Sequence, residues 1–318
     1  MRLEIAQLCD AMGAHGYIAD ESIATAVFLA RELGRPLLVE GDAGVGKTEI
    51  AKVWAQLAGA ELVRLQCYEG LDVSTALYEW NYPRQLLRLR MAEVHGITRH
   101  DTVSRSGGDL SGREAEGSPA RDLEQTVFSS EYLLERPLLR ALTHPDGPAV
   151  LLIDEIDRAD EAFEAFLLEV LSDFQVTIPE LGTIRAAHIP YVVVTSNATR
   201  EIGDALRRRC LYLYIDHPSV EKEVAILRSR VPGASEDLAA EIARFVGALR
   251  ARDLVRMPGV AESIDWARAL CRLHSAHLDA ETVAATLGCV IKDQHDRRAL
   301  PAGEIAGMVA AARAGGVG

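Results

Sequence analysis

Five short strand-like apolar runs mark the first two thirds of the chain: Leu37–Glu40, Glu61–Gln66, Val150–Ile153, Tyr191–Thr195 and Leu211–Ile215. Stretches with helical spacing lie between them. Ile50, Val53, Trp54 and Leu57 recur at helix period before Gly59, a residue suited to end a helix. Phe163, Phe166, Leu167 and Val170 form a similar stripe, read as buried. Strands alternating with helices predict an α/β fold, a parallel sheet covered by helices. After His217-Pro218 the strand-like runs stop. Leu238, Ile242, Phe245, Val246 and Leu249 then share one helical face, so residues 218–318 are expected to form a second, all-helical domain after an α/β domain at 1–217. Between about 99 and 125 large apolar residues almost vanish, the composition of a mobile loop. The small, glycine-rich tail from Ala310 is expected to fray.

With 318 residues and 48% hydrophobic content, the chain is long enough to bury a large core. Its formal net charge of −13 argues against broad, sequence-independent binding of nucleic acid, which needs a positive surface. Arg84, Arg88 and Arg90 form a local basic exception. The five cysteines (Cys9, Cys67, Cys210, Cys271, Cys289) are scattered without a C-x-x-C pair, and read as thiols in a reducing cytoplasm. No apolar run approaches the roughly 20 residues of a membrane helix, and the N-terminal residues lack the pattern of a signal peptide. His95, His100 and His144 are not at metal-ligand spacing and read as surface residues, while Trp54 and Trp80 read as packing residues.

The chemistry begins at Gly41-Asp42-Ala43-Gly44-Val45-Gly46-Lys47-Thr48, which satisfies every fixed position of G-x-x-x-x-G-K-[ST]. Its glycines allow consecutive backbone N–H groups to wrap a triphosphate at a helix N-terminus. Lys47 would reach the β and γ phosphates, and the Thr48 hydroxyl would ligate magnesium. Ala149–Ile153 leads into Asp154-Glu155, two acids at the carboxyl end of a strand, where open α/β sheets bind ligands. Asp154 suits the magnesium shell and Glu155 the polarisation of an attacking water. Asn197 follows the next strand and is placed to hold that water or touch the γ-phosphate. Arg207-Arg208-Arg209 closes a helix before the last strand, and a guanidinium suits γ-phosphate recognition across a subunit boundary.

The order of phosphate loop, Leu-Leu-Ile-Asp-Glu-Ile-Asp-Arg-Ala-Asp (151–160), Thr-Ser-Asn (195–197) and Arg-Arg-Cys (208–210) resembles AAA+ ATPases, and within them the MoxR group. Gly-Tyr-Ile-Ala-Asp (16–20), Leu-Gln-Cys-Tyr-Glu-Gly-Leu-Asp (65–72), Tyr-Glu-Trp-Asn-Tyr-Pro (78–83) and Leu-Ser-Asp-Phe-Gln-Val-Thr-Ile-Pro-Glu (171–180) are similar to its CoxD-like branch, associated with maturation of molybdenum-containing carbon monoxide dehydrogenase. The resemblance implies an AAA+ P-loop NTPase with a five-stranded parallel sheet sandwiched by helices, followed by a smaller helical lid. It implies ATP and Mg2+ as ligands, Lys47 and Thr48 as the Walker A pair, Asp154 and Glu155 as Walker B, and Asn197 as sensor 1. Arg209 matches an arginine finger acting on a neighbouring subunit's nucleotide, with Arg208 next in line. Tyr17, Ile18 and Arg268 join the nucleotide-binding set. The lid reads Glu262-Ser263-Ile264-Asp265-Trp266-Ala267-Arg268, with Asp265 nearest the position where relatives carry an arginine and Arg268 one turn on. Segments at about 69–91 and 175–185 correspond to a helix-two insert and a hairpin before sensor 1, both expected to face a pore or partner in a ring.

The function implied is ATP-driven remodelling by a homo-oligomeric ring, a hexamer by resemblance, acting on a molybdenum hydroxylase client with a von Willebrand A domain partner. Two alternatives stand beside it: a nucleotide-gated binding switch, and a DNA-directed motor, which the acidic balance opposes.

Overall fold

The structure, a computed structural model, describes residues 2–94 and 127–315. The stretch read as a mobile loop, with His95 and His100, lies outside the described residues.

Helices Arg2–Ala14 and Glu21–Leu33 precede strand β1 (Leu37–Glu40). Helix Lys47–Ala58 and β2 (Leu62–Gln66) follow, then a short helix Val73–Ala76, β3 (Tyr78–Trp80) and helix Tyr82–Val94. The chain resumes through β4 (Leu133–Glu135) and helix Pro137–Leu142 to β5 (Val150–Asp154). Helix Glu161–Asp173, the antiparallel pair β6 (Gln175–Ile178) and β7 (Gly182–Arg185), β8 (Tyr191–Ser196), helix Asp204–Arg209 and β9 (Leu211–Tyr214) complete the α/β part.

Five strands form one parallel sheet in the order β2-β5-β8-β1-β9. Their apolar residues serve its two faces alternately. Leu38, Leu151, Ile153, Val192 and Val194 pack on one side with Leu138, Leu139, Phe163 and Leu167 from helices Pro137–Leu142 and Glu161–Asp173. Leu37, Val39, Val150, Leu152 and Val193 pack on the other with Met12, Val27, Ile50, Val53 and Trp54 from the first three helices. A strand buried on both faces needs apolar side chains at successive positions, and this accounts for the unbroken runs in the sequence. Trp54 stacks on Tyr191 at 5.2 Å between ring centroids, so it serves packing.

Beyond β9 the described residues are helical, beginning with Val220–Arg230, Glu236–Arg250 and Val260–Arg272. Leu238, Ile242, Phe245, Val246 and Leu249 all turn into a separate core around Trp266. The final helix, Ala302–Arg313, runs on past Ala310 and buries Val309 and Ala312, so the first four residues of the stretch expected to fray are helical, and 316–318 lie outside the described residues. His144 also departs from its surface reading. Its ring is largely buried, with Nδ1 3.0 Å from the Gly147 carbonyl and Nε2 3.2 Å from Glu61.

Candidate functional site

The loop 41–48 connects the carboxyl end of β1 to helix Lys47–Ala58, so the first turn of that helix opens at the sheet's edge. Gly46 caps the helix with φ 99°, in the region that disfavours a side chain. Gly44, at φ 80°, comes so close to the helical region that a Cβ on it would lie 3.0 Å from Gly259 Cα.

Lys47 is only 6% exposed. Its Nζ donates to the carbonyls of Gly41 (2.7 Å) and Asp42 (2.6 Å) and to Asn197 Oδ1 (2.8 Å). Burial pulls the Lys47 pKa below its ordinary value, and Asp157, Asp42, Asp154 and Glu155 oppose the shift without cancelling it. Thr48 Oγ1 donates to Asp154 Oδ1 at 3.1 Å. The same carboxylate accepts from Thr195 Oγ1 (2.5 Å) and from the Arg64 guanidinium (2.5 Å).

These residues fit a magnesium nucleotide. The three acceptors of Lys47 are neutral oxygens, and an ammonium binds an anionic phosphate oxygen more strongly. Among the described residues, no group of three or more His, Cys, Asp or Glu could hold a metal. The adjacent Thr48 hydroxyl and Asp154 carboxylate are hard oxygen ligands and suit Mg2+, an ion that keeps water and phosphate ligands beside one or two from protein.

Glu155 stands one residue past Asp154 with φ 56° and ψ 52°, a left-handed conformation rare outside glycine. Such backbone costs about 1–3 kcal/mol and concentrates at functional positions. The surroundings hold it there: the Glu155 amide donates to Thr195 Oγ1 (3.0 Å), and its Oε2 accepts from Gln66 Nε2 (3.0 Å) and Arg158 (3.1 Å). Asn197 is fixed by Asp157, whose carboxylate accepts from the amides of Asn197 (3.2 Å) and Thr199 (3.1 Å) and from the Thr199 hydroxyl (2.5 Å). Burial raises the pKa of Asp157, but these hydrogen bonds outweigh it, and the carboxyl lies below its ordinary value.

On the other flank of the loop is a cavity of about 410 Å³ lined by Tyr17, Ile18, Gly44, Gly46, Arg230 and Arg268 among others. Arg268 also pairs with Asp265 at 3.2 Å. Arg230 had no motif to announce it. It bonds Glu49 at 2.5 Å, one residue past Thr48, and brings a second arginine to the cavity wall. The Val260 amide donates to the Gly44 carbonyl (3.0 Å), so the start of helix Val260–Arg272 hangs directly on the phosphate loop. Glu262 caps that helix through the Gly259 amide (3.0 Å).

The three arginines of helix Asp204–Arg209 separate by their contacts. Arg207 turns inward and forks onto both carboxylate oxygens of Glu40 (3.0 and 2.9 Å). Arg208 and Arg209 are exposed, outside the Lys47 cluster, with Arg209 bonded to the Ser172 hydroxyl. Arg35 caps their carbonyls, donating to Arg208 O (2.7 Å) and Arg209 O (3.1 Å).

A search of curated proteins found no match. Among solved structures, the chain is similar to the RuvB Holliday junction branch migration motor of Thermotoga maritima, 16% identical over 86% of this chain and 68% of that one, with a TM-score of 0.45. Two single-substitution variants of that motor give 17% and 18% identity, over 86% and 87% of this chain and 68% and 70% of theirs, with TM-scores of 0.43 and 0.46. The sequence model of the family described as "ATPase family associated with various cellular activities (AAA)" matches residues 37–215, more than half of the chain and the whole span from β1 to β9. The chain belongs to this AAA family of ATPases, enzymes that bind and hydrolyse ATP with Mg2+.

Proposed function

We propose that this ATPase works as a ring in which each nucleotide site is completed by an arginine of the neighbouring subunit, and that hydrolysis remodels or matures a client protein. One observation carries the first half. Lys47, Thr48, Asp154, Glu155 and Asn197 converge within one chain, while Arg208 and Arg209 stand outside that cluster on an exposed helix end whose carbonyls Arg35 holds in place.

Bound magnesium ATP supplies the phosphoryl group that passes to water and a cation that offsets its charge. Lys47 and the loop amides would hold the phosphates, and Thr48 and Asp154 would hold the metal. Glu155 would orient the water and take its proton on a carboxylate oxygen. Gln66 and Arg158 both donate to its Oε2 and so hold the carboxylate in place. Asn197, steadied by Asp157, positions the same water or the γ-phosphate. Tyr17, Ile18 and Arg268, which line the cavity beside the loop, would contribute the remaining nucleotide contacts. Arg209, with Arg208 beside it, supplies charge to the neighbour's site.

The sequence motifs at 16–20, 65–72, 78–83 and 171–180 support assignment to the CoxD-like branch of MoxR ATPases. The client is then a molybdenum hydroxylase such as carbon monoxide dehydrogenase, with a von Willebrand A domain protein as partner and a hexameric ring as the assembly. Coexpressing a molybdenum hydroxylase with the wild-type chain or with Lys47→Ala, followed by metal and sulfur analysis of its cofactor, tests this. Completion only with the wild type is expected, and equal completion with both refutes the maturation role.

A further inference from the structure

Glu40 ends β1, immediately before the phosphate loop, and its carboxylate is buried, with the residue 5% exposed. A carboxylate in such a place costs free energy unless it is paired and hydrogen-bonded. Among the described residues its side chain makes no bond to the loop that follows it; its partners come from the stretch 207–212. Arg207 Nη2 donates to both oxygens (3.0 and 2.9 Å), and the Tyr212 hydroxyl donates to Oε2 (2.7 Å). The Arg207 guanidinium also lies over the Tyr212 ring, 5.7 Å from its centroid. Arg207 Nε is buried without a hydrogen bond, so the ion pair with Glu40 is what directs this side chain.

Helix Asp204–Arg209 is seated at other points as well. Leu206 is buried in the core, the Gly203 amide donates to Glu164 Oε2 (2.8 Å), and Arg35 holds the last two carbonyls. Those contacts fix where the helix lies. The Glu40 pair fixes how it is rotated, because successive residues of a helix are about 100° apart, and turning Arg207 inward sets the outward directions of Arg208 and Arg209. We propose that Glu40 and Arg207 are positioning residues for the neighbouring subunit's nucleotide: their ion pair aims Arg208 and Arg209 out of the subunit. A carboxylate that borders one site thereby serves the next. The inference rests on the reading that these two arginines complete a neighbour's site.

Glu40→Gln keeps the shape of the side chain and an acceptor for Tyr212 while removing the charge that fastens Arg207. Alone, it should hydrolyse ATP roughly 10²-fold more slowly, the loss that follows a misplacement of about 1 Å, with ATP affinity within a few-fold of wild type. Mixed assemblies then tell which site has failed. Coexpressed with Glu155→Gln, the variant's own site meets intact neighbouring arginines, and turnover well above that of either chain alone is expected. Coexpressed with Arg208→Ala/Arg209→Ala, neither chain offers well-placed arginines, and no gain is expected. Arg207→Gln should repeat this pattern. Rescue by the arginine-deficient chain instead, which would put the defect in the variant's own loop, rescue by neither partner, or wild-type turnover of Glu40→Gln alone would overturn the inference. The control is Glu155→Gln mixed with Arg208→Ala/Arg209→Ala. No gain there removes the shared site and this inference with it, whereas a gain there beside the wrong pattern for Glu40→Gln sinks the positioning role alone.

Discussion

Lys47 donates its ammonium to the side-chain oxygen of Asn197 at 2.8 Å, joining the phosphate loop to the end of β8 across 150 positions of sequence. With nucleotide bound, the phosphates compete for that ammonium, and Asn197 becomes available to the reacting water. Asn197→Ala should therefore leave ATP affinity within a few-fold of wild type and lower turnover by roughly 10²–10³, the usual loss on removing one positioned polar group. Nucleotide titration beside steady-state hydrolysis checks this. Wild-type turnover would remove Asn197 from the site.

Glu155→Gln keeps the shape of the side chain and its partnership with Gln66 and Arg158 but removes the base. Turnover should fall by about 10²–10⁴ with ATP binding retained. Isolation of the variant with intact ATP after long incubation is the expected result, and ADP in its place would assign the proton transfer elsewhere.

The helical region is fastened by a buried ion pair. Arg250 forks onto Glu223 (2.7 and 2.9 Å), with side-chain exposures of 8% and 1%, while Ser263 donates to Glu223 (2.7 Å) and Arg250 Nε to the Pro258 carbonyl (2.8 Å). Arg250→Ala strands the carboxylate and should cost about 3–5 kcal/mol in urea unfolding. Arg250→Met combined with Glu223→Leu should cost clearly less. A larger loss in the double variant would show that the pair is a net source of stability.

His217, just before the helical region, has both ring nitrogens buried without a hydrogen bond, although Asp42 Oδ2 lies 3.2 Å from Nε2. Burial first, then the Arg250 guanidinium, hold its pKa below the ordinary value, against the pull of Asp42 and Glu223. The unfolded imidazole takes its proton near about pH 6.5, and the folded one only at lower pH. The unfolded state thus binds more protons in that interval, and this contribution to stability is complete above about 6.5 and lost as pH falls through it. Urea midpoints measured from pH 8 to 5.5 should fall more steeply for wild type than for His217→Asn. Parallel profiles would show that another group is responsible.

Much of the arrangement could be read from residues close in sequence. The phosphate loop announces itself through glycine spacing and its flanking strand and helix, and the five strands through apolar runs that a sheet covered on both faces requires. The contacts that tune the site join distant residues and left no such mark. Gln66 meets Glu155 only because β2 and β5 are neighbours in register, with Gln66 opposite Asp154. Arg207 is drawn inward by Glu40 because β9 lies beside β1, so a run of three identical arginines divides into one structural and two exposed residues. Arg230 faces Glu49 from 181 positions away. Polar residues at strand ends could have suggested such partners once the strand order was known. Periodicity and motif spacing carry no information on that order.

Division of the site between subunits is tested most directly by mixing two defective chains. Glu155→Gln lacks the base but keeps its arginines; Arg208→Ala/Arg209→Ala keeps the base but should lose roughly 10³–10⁵ in turnover. In coexpressed mixed assemblies, an intact Glu155 site can face an intact arginine pair from its neighbour. ATP turnover well above that of either variant alone is the predicted result, and mixed assemblies no more active than the separate variants would contradict a shared site.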